Sequence, residues 1–191
     1  MKKLILVAMM LASVAGFSQK VTSGSFKNLK GIPEFSLVFD YEGLTVEKFK
    51  SEEEFLADKM KKREEKGTGE DFRSSWFADR QNRYEPKFIE SFNKRFKGNV
   101  KADKNLASAK HTMTVKTTYI NPGFNVGVVR NDAKINVTIT VTETANPSNV
   151  LLSVNYDRVH GEGAMGYDFN SGYRISEAYA KVAKELASDI K

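Results

Sequence analysis

Four stretches of this chain alternate apolar and polar residues with a period of two, and one repeats its apolar residues every three or four positions. Successive strand side chains point to opposite faces, so in HTMTVKTTYI the residues Met113, Val115, Thr117 and Tyr119 share one side of a pleat and Thr112, Thr114, Lys116 and Thr118 the other. The alternation is cleaner in AKINVTITVTE, with Ile135, Val137, Ile139 and Val141 against Asn136, Thr138, Thr140 and Thr142. A third run sets Leu152, Val154 and Tyr156 against Ser153, Asn155 and Asp157, behind the turn formers Asn146, Pro147, Ser148 and Asn149. The second and third runs therefore predict an antiparallel hairpin with one wet face and one core face. Earlier in the chain, Phe35, Leu37, Phe39 and Tyr41 alternate with Ser36, Val38 and Asp40, which predicts a further strand.

The helical period is clearest at the end. From Tyr173 to Ile190, Ile175, Tyr179, Val182, Leu186 and Ile190 fall on one stripe, with Arg174, Glu177, Lys181, Lys184 and Glu185 elsewhere on the cylinder. Asn170 or Ser171 is the expected cap, because a short polar side chain accepts from the unpaired amides of the first turn. Ser51 with Glu54 has the form of a capping box, and Glu52, Glu53 and Glu54 suit the positive end of a helix dipole. Between Glu70 and Lys97 a run of Phe, Trp and Tyr keeps mostly helical spacing. Pro86 interrupts it, predicting one kinked helix or two short ones. A helix face packed on a sheet and the wall of a ligand pocket are both open to these aromatics.

These elements predict an α+β fold: a mainly antiparallel sheet of four to five strands with helices packed on one face. Residues 1–18 are expected to be a secretory signal peptide, with two lysines, an apolar run from Leu4 to about Phe17, and small residues before the cleavage point. Residues 19–191 then form a single domain, about 170 residues being ample for one core. The chain has no cysteine, which excludes disulfides, thiolate metal sites and lipidation of an N-terminal cysteine. Its formal charge of +6 includes Lys2 and Lys3 of the leader. The expected leader implies the periplasm or the cell exterior, and the interspersed remaining charges argue for solubility and against a nucleic-acid partner, while leaving anionic lipid or glycan open.

Candidate chemistry is sparse. Gly161-Glu162-Gly163-Ala164-Met165-Gly166 matches GxGxxG in letters, but six residues separate it from the helix and no strand follows, so a dinucleotide site is not expected. The glycines read instead as a flexible strand-to-helix loop, with an anion site at the helix N-terminus near Ser171 and Gly172 as the alternative. His160 with Asp157, Glu162 and Asp168 is the one constellation that offers acid/base chemistry, and it defines a hydrolase alternative. No cofactor or metal is expected, and no catalytic residue is nominated. Phe124, Val126 and Val128 after the Asn121-Pro122-Gly123 turn, and Met165, Tyr167 and Phe169 after the glycines, are apolar residues in loop contexts. Such residues are either folded under the helix or used for contact. Phe124, Val126, Tyr167 and Phe169 are the candidate partner-contact residues.

The runs PGFNVGVVRNDAKINVTITV and GEGAMGYDFNSGYRISEAYAKVAKELASDI resemble small exported proteins of the Gram-negative envelope, of unknown function, that share the Pro-Gly turn, the hairpin, a Gly-Tyr-Asp-Phe loop and an Ile-Ser-Glu-Ala-Tyr-Ala helix. The order strand, helices, strands, helix is more distantly similar to the lipopolysaccharide-assembly lipoprotein and to the N-terminal domain of the Tol-Pal translocation protein. This chain lacks the lipoprotein's lipidated cysteine. The resemblance implies a compact fold and a non-enzymatic envelope binding or adaptor module, partnered by an envelope protein or a surface glycan or lipid. A small-ligand or lipid-binding periplasmic protein is the second expectation, requiring a cavity between the aromatic helix and the sheet.

Overall fold

The computed structural model of the protein describes residues 18–162 and 170–191. Its strands are β1 (Ser18–Gly24), β2 (Glu34–Asp40), β3 (Thr45–Val46), β4 (Lys101–Lys104), β5 (His111–Asn121), β6 (Phe124–Asn125), β7 (Arg130–Asn131), β8 (Ala133–Glu143) and β9 (Asn146–Gly161). Its α-helices are α1 (Glu52–Lys61), α2 (Gly69–Asp79), α3 (Glu85–Phe96) and α4 (Ser171–Ile190). Residues 1–17 of the expected signal peptide lie outside the described residues, and Ser18, its expected last residue, is the first of β1.

The α+β class holds, but the sheet is larger and more mixed than its local patterns predict. Seven strands join in the order β1-β9-β8-β5-β2-β4, with β3 also on β5, and β6 and β7 make a separate two-stranded ribbon. The pairs β1/β9, β8/β9 and β5/β8 are antiparallel, whereas β2/β4, β2/β5 and β3/β5 are parallel. The expectation of a mainly antiparallel sheet of four to five strands is therefore corrected. A parallel neighbour needs a long crossover; between β3 and β5 that crossover is the whole α1–α3 segment, which no local period encodes.

One face of the sheet is core. Phe35, Leu37, Met113, Val115, Ile135, Val137, Ile139, Val141, Leu152, Val154 and Tyr156 are buried, alternating along each strand with threonines and other polar residues that stay partly exposed. Two local shifts alter the expected phase. The β5/β8 register slips between Thr117 and Tyr119, so Ile120, and not Tyr119, reaches the core at 1% exposure. The β8/β9 turn falls at Thr144 and Ala145, because Glu143 pairs with Asn146 and Thr142 with Val150. Pro147, Ser148 and Asn149 are consequently an exposed bulge within β9, a position that tolerates proline's missing donor.

The helices cover this core face. Asn170 caps α4, its Oδ1 accepting from Tyr173 N at 3.3 Å, and Ile175, Tyr179, Val182, Leu186 and Ile190 are buried as the stripe predicts. Ser51 caps α1, accepting from Glu54 N at 3.2 Å, and the Glu54 carboxylate returns a bond to the amide of Lys50 at 3.1 Å. Between α2 and α3 the chain stays helical through a π-turn at Arg80–Tyr84, with Pro86 in the first turn of α3. The inward residues Trp76, Arg80, Tyr84, Phe88, Phe92 and Phe96 are each four apart. In a regular α-helix each such step drifts by about 40°. The wider turn takes up part of that drift and keeps the series facing inward.

Candidate functional site

Of the rings that sequence left open as a pocket wall, those from Tyr84 onward fill the space themselves, while Phe72 and Trp76 line an open cleft of about 260 Å³ beside Pro122 and Ser171. Phe35 meets Phe92 edge-on at 6.1 Å, Phe39 meets Phe88 at 5.7 Å, and Tyr84 stacks on Tyr179 with centroids 5.3 Å apart. Beneath them is a buried polar cluster. The Glu52 carboxylate accepts from Trp76 Nε1 at 2.6 Å and from Arg80 Nη2 on both oxygens at 2.5 Å. The Arg80 guanidinium lies over the Tyr41 ring, 4.2 Å from its centroid. Tyr179 and Thr117 share a hydroxyl–hydroxyl bond of 2.5 Å. Burial holds the phenols of Tyr41, Tyr84 and Tyr179 well above the ordinary tyrosine range, so they stay neutral and serve as packing groups, Tyr179 alone of the three hydrogen-bonding through its hydroxyl. The arrangement is an interior joint between α1, α2, α4 and the sheet, in which the buried hydroxyls of Tyr41 and Tyr84 are left without a hydrogen-bond partner among the described residues.

The constellation around His160 takes a different form from the expected one. Its nearest acid is Asp132, between β7 and β8, with Nδ1 to Oδ2 at 3.8 Å, and Asp132 also lies 3.7 Å from Arg130 Nε. No ion pair joins His160 to Asp157 or Glu162 among the described residues, and Asp168 lies outside them. No group of three or more His, Asp or Glu side chains suited to a metal ion occurs among the described residues. The first glycine of the GxGxxG letters has a packing role. A Cβ on Gly161 would collide with the carbonyl of Arg174 and the amide of Ala178, so the end of β9 lies directly against the backbone of α4. The N-terminus of α4 is likewise filled from within: the Asp79 carboxylate occupies the place a Cβ on Gly172 would take. Burial raises the Asp79 pKa above the ordinary aspartate value, against the opposing pull of Arg83 at 2.7 Å.

The β6–β7 ribbon is the part of the predicted contact surface that the structure describes. Asn121 Oδ1 accepts from Gly123 N at 2.9 Å and turns the chain out of β5. Gly123 has φ +62° and sits against the backbone of Asn131, Asp132 and Ala133, a position only glycine fits. Phe124 then pairs with Asn131 and Asn125 with Arg130. The tip is a two-residue loop, closed by Val126 N donating to Val129 O at 3.0 Å, with Gly127 first in the loop at φ +85°. The root is tied to α4 by Arg174, whose Nε and Nη2 donate to Pro122 O at 3.3 and 3.0 Å.

The tip is apolar and open. Phe124 is 47% exposed, Val126 66%, Val128 96% and Val129 55%. The side chains of this loop are therefore not folded under α4. Val129 escaped the sequence reading, because the Gly127 turn breaks the alternation that singled out 124, 126 and 128. Tyr167 and Phe169 lie outside the described residues. No helix among the described residues is long and apolar enough to cross a membrane.

No family model matches the chain, and no curated protein matches it. Among solved structures, a PelC dodecamer from Paraburkholderia phytofirmans is similar at 11% identity and a TM-score of 0.41, and a point variant of it at 12% identity and 0.42. Each covers 90% of this chain and 97% of the other.

Proposed function

We propose that this protein is a non-enzymatic binding module of the cell envelope that docks through the β6–β7 tip to an apolar pocket on another envelope protein. The exposed quartet Phe124, Val126, Val128 and Val129 carries the reading. Burying a Val or Phe side chain in full contributes about 1.5–3 kcal/mol, so these four, between 47% and 96% exposed, supply on the order of 5 kcal/mol before the cost of association. The ribbon strands pair only with each other among the described residues, so their outer edges also offer backbone groups to a partner strand. The leader-like residues 1–18 support an envelope location.

The test compares the native protein with a Val126→Ser, Val128→Ser, Val129→Ser variant. A discrete envelope protein that is captured by the native chain, rebinds it when purified, and is lost with the variant supports the reading. Flotation with lipid vesicles that the variant abolishes, or reversible self-association that it abolishes, would replace the protein partner with a bilayer or a second copy.

A further inference from the structure

At the other end of α4 a cleft of about 450 Å³ opens between α3 and α4. Its rim carries Lys94, Arg95, Lys97, Lys184 and Lys191, all exposed, and among the described residues none of them has a carboxylate within ion-pair distance. A sixth cation, Lys87, is neutralised by Glu177 at 2.9 Å, and Glu90 is the single acid in the lining. Lys87 faces Glu177, and Lys191 reaches the ring of Phe96, 5.8 Å from its centroid. The two helices therefore run in the same direction and end together.

Part of this charge has an internal explanation. The C-terminus of a helix is equivalent to about half a negative charge, so two adjacent ends offset about one positive charge. Five unpaired cations against Glu90 and that partial charge leave a clear surplus, held together at a cost in mutual repulsion. The spacing gives the surplus a direction. Lys184 and the C-cap Lys191 are seven residues apart on the α4 side, two turns or about 10 Å, and Lys94, Arg95 and Lys97 line the α3 side. The cations thus stand in two rails along one groove. Exposed apolar side chains, which a bilayer-inserting surface needs, are missing from the lining.

We propose that this groove binds a linear polyanion, an envelope polymer bearing carboxylate or phosphate groups at regular intervals. The site is separate from the hairpin: Arg174, at the hairpin root, and Lys191 are 17 residues apart on α4, roughly 25 Å along its axis. The protein is in this respect two-ended, apolar at one pole and cationic at the other.

The test measures binding of the intact protein to polygalacturonate and, in parallel, to polyphosphate, with monomeric galacturonate and phosphatidylglycerol vesicles as further arms. Retention of either polymer is expected, falling about tenfold or more between 50 and 200 mM salt as counterions compete, with the monomer binding at least about a hundredfold more weakly because it engages one cation at a time. Lys94→Glu with Lys184→Glu should lower polymer affinity by about tenfold or more, and the gentler Lys94→Gln with Lys184→Gln should lower it less. Lys61→Glu with Lys66→Glu, the same charge change at exposed positions on α1 and the turn after it, should leave it within about twofold. The polymer that binds identifies the charged group. Equal losses in both Glu pairs, monomer binding as tight as polymer, or vesicle binding without polymer binding would each overturn the proposal. The hairpin triple-Ser variant should retain the polymer, which separates this result from the docking reading.

Discussion

Arg174, only 4% exposed, directs both Nε and Nη2 at the carbonyl oxygen of Pro122, so the second turn of α4 holds the root of the exposed hairpin. Hydrogen bonds from a charged donor contribute about 1.5–3 kcal/mol. Arg174→Met should lower stability by about that amount in urea unfolding and should speed proteolytic cleavage between 124 and 131 before global unfolding. Cleavage at the native rate would show that the hairpin is held by its own turn alone.

Arg80 Nη2 donates to both carboxylate oxygens of Glu52, with Trp76 Nε1 as a second donor to the same carboxylate. Removing one partner strands a buried charge and costs about 3–5 kcal/mol, whereas replacing both with apolar residues removes the desolvation cost as well. Glu52→Leu and Arg80→Met should each destabilise strongly, and the double variant should be much less destabilised than the two losses combined. Additive losses would mean that the two groups do not act as a pair.

Burial raises the pKa of Tyr41, Tyr84, Tyr156 and Tyr179 above the ordinary value of 10.0. A phenol whose folded pKa is raised contributes stability that is fully present below the unfolded value and is lost as the pH climbs above it. Stability should therefore decline from about pH 10 upward. Absorbance titration near 295 nm should find these four silent until the protein unfolds. Reversible early ionisation of all tyrosines, with native circular dichroism retained, would contradict their burial.

Gly161 lies against the α4 backbone where a methyl group has no room. Gly161→Ala should push β9 and α4 apart and cost about 1–3 kcal/mol in thermal or chemical unfolding. A neutral outcome would mean that the strand end is not seated on the helix as described.

The elements with two distinct faces were legible before the structure. The alternation of β5, β8 and β9 and the stripe of α4 were readable because each buries one side only. β1 was not, since all seven of its residues are exposed and its partner β9 lies more than a hundred residues away. The parallel placing of β2 between β4 and β5 escaped for a related reason: Phe35 and Leu37 alternate in the same way whichever direction the neighbour runs. At the site, Phe124 and Val126 stood out as apolar residues after a Pro-Gly turn. Arg174 carried no signal, because a basic residue early in an amphipathic helix reads as solvated. The cationic groove was hidden by distance, since its two rails lie about ninety positions apart in the chain.

The most direct measurement places a photo-crosslinking amino acid at Val128 in the exported protein and irradiates intact cells, with Lys61, an exposed residue on α1, as the comparison position. The account predicts a discrete adduct with one envelope protein from position 128, absent from position 61 and abolished by Phe124→Ser with Val126→Ser. Identical labelling from both positions, or none from 128, would contradict a docking role for the hairpin.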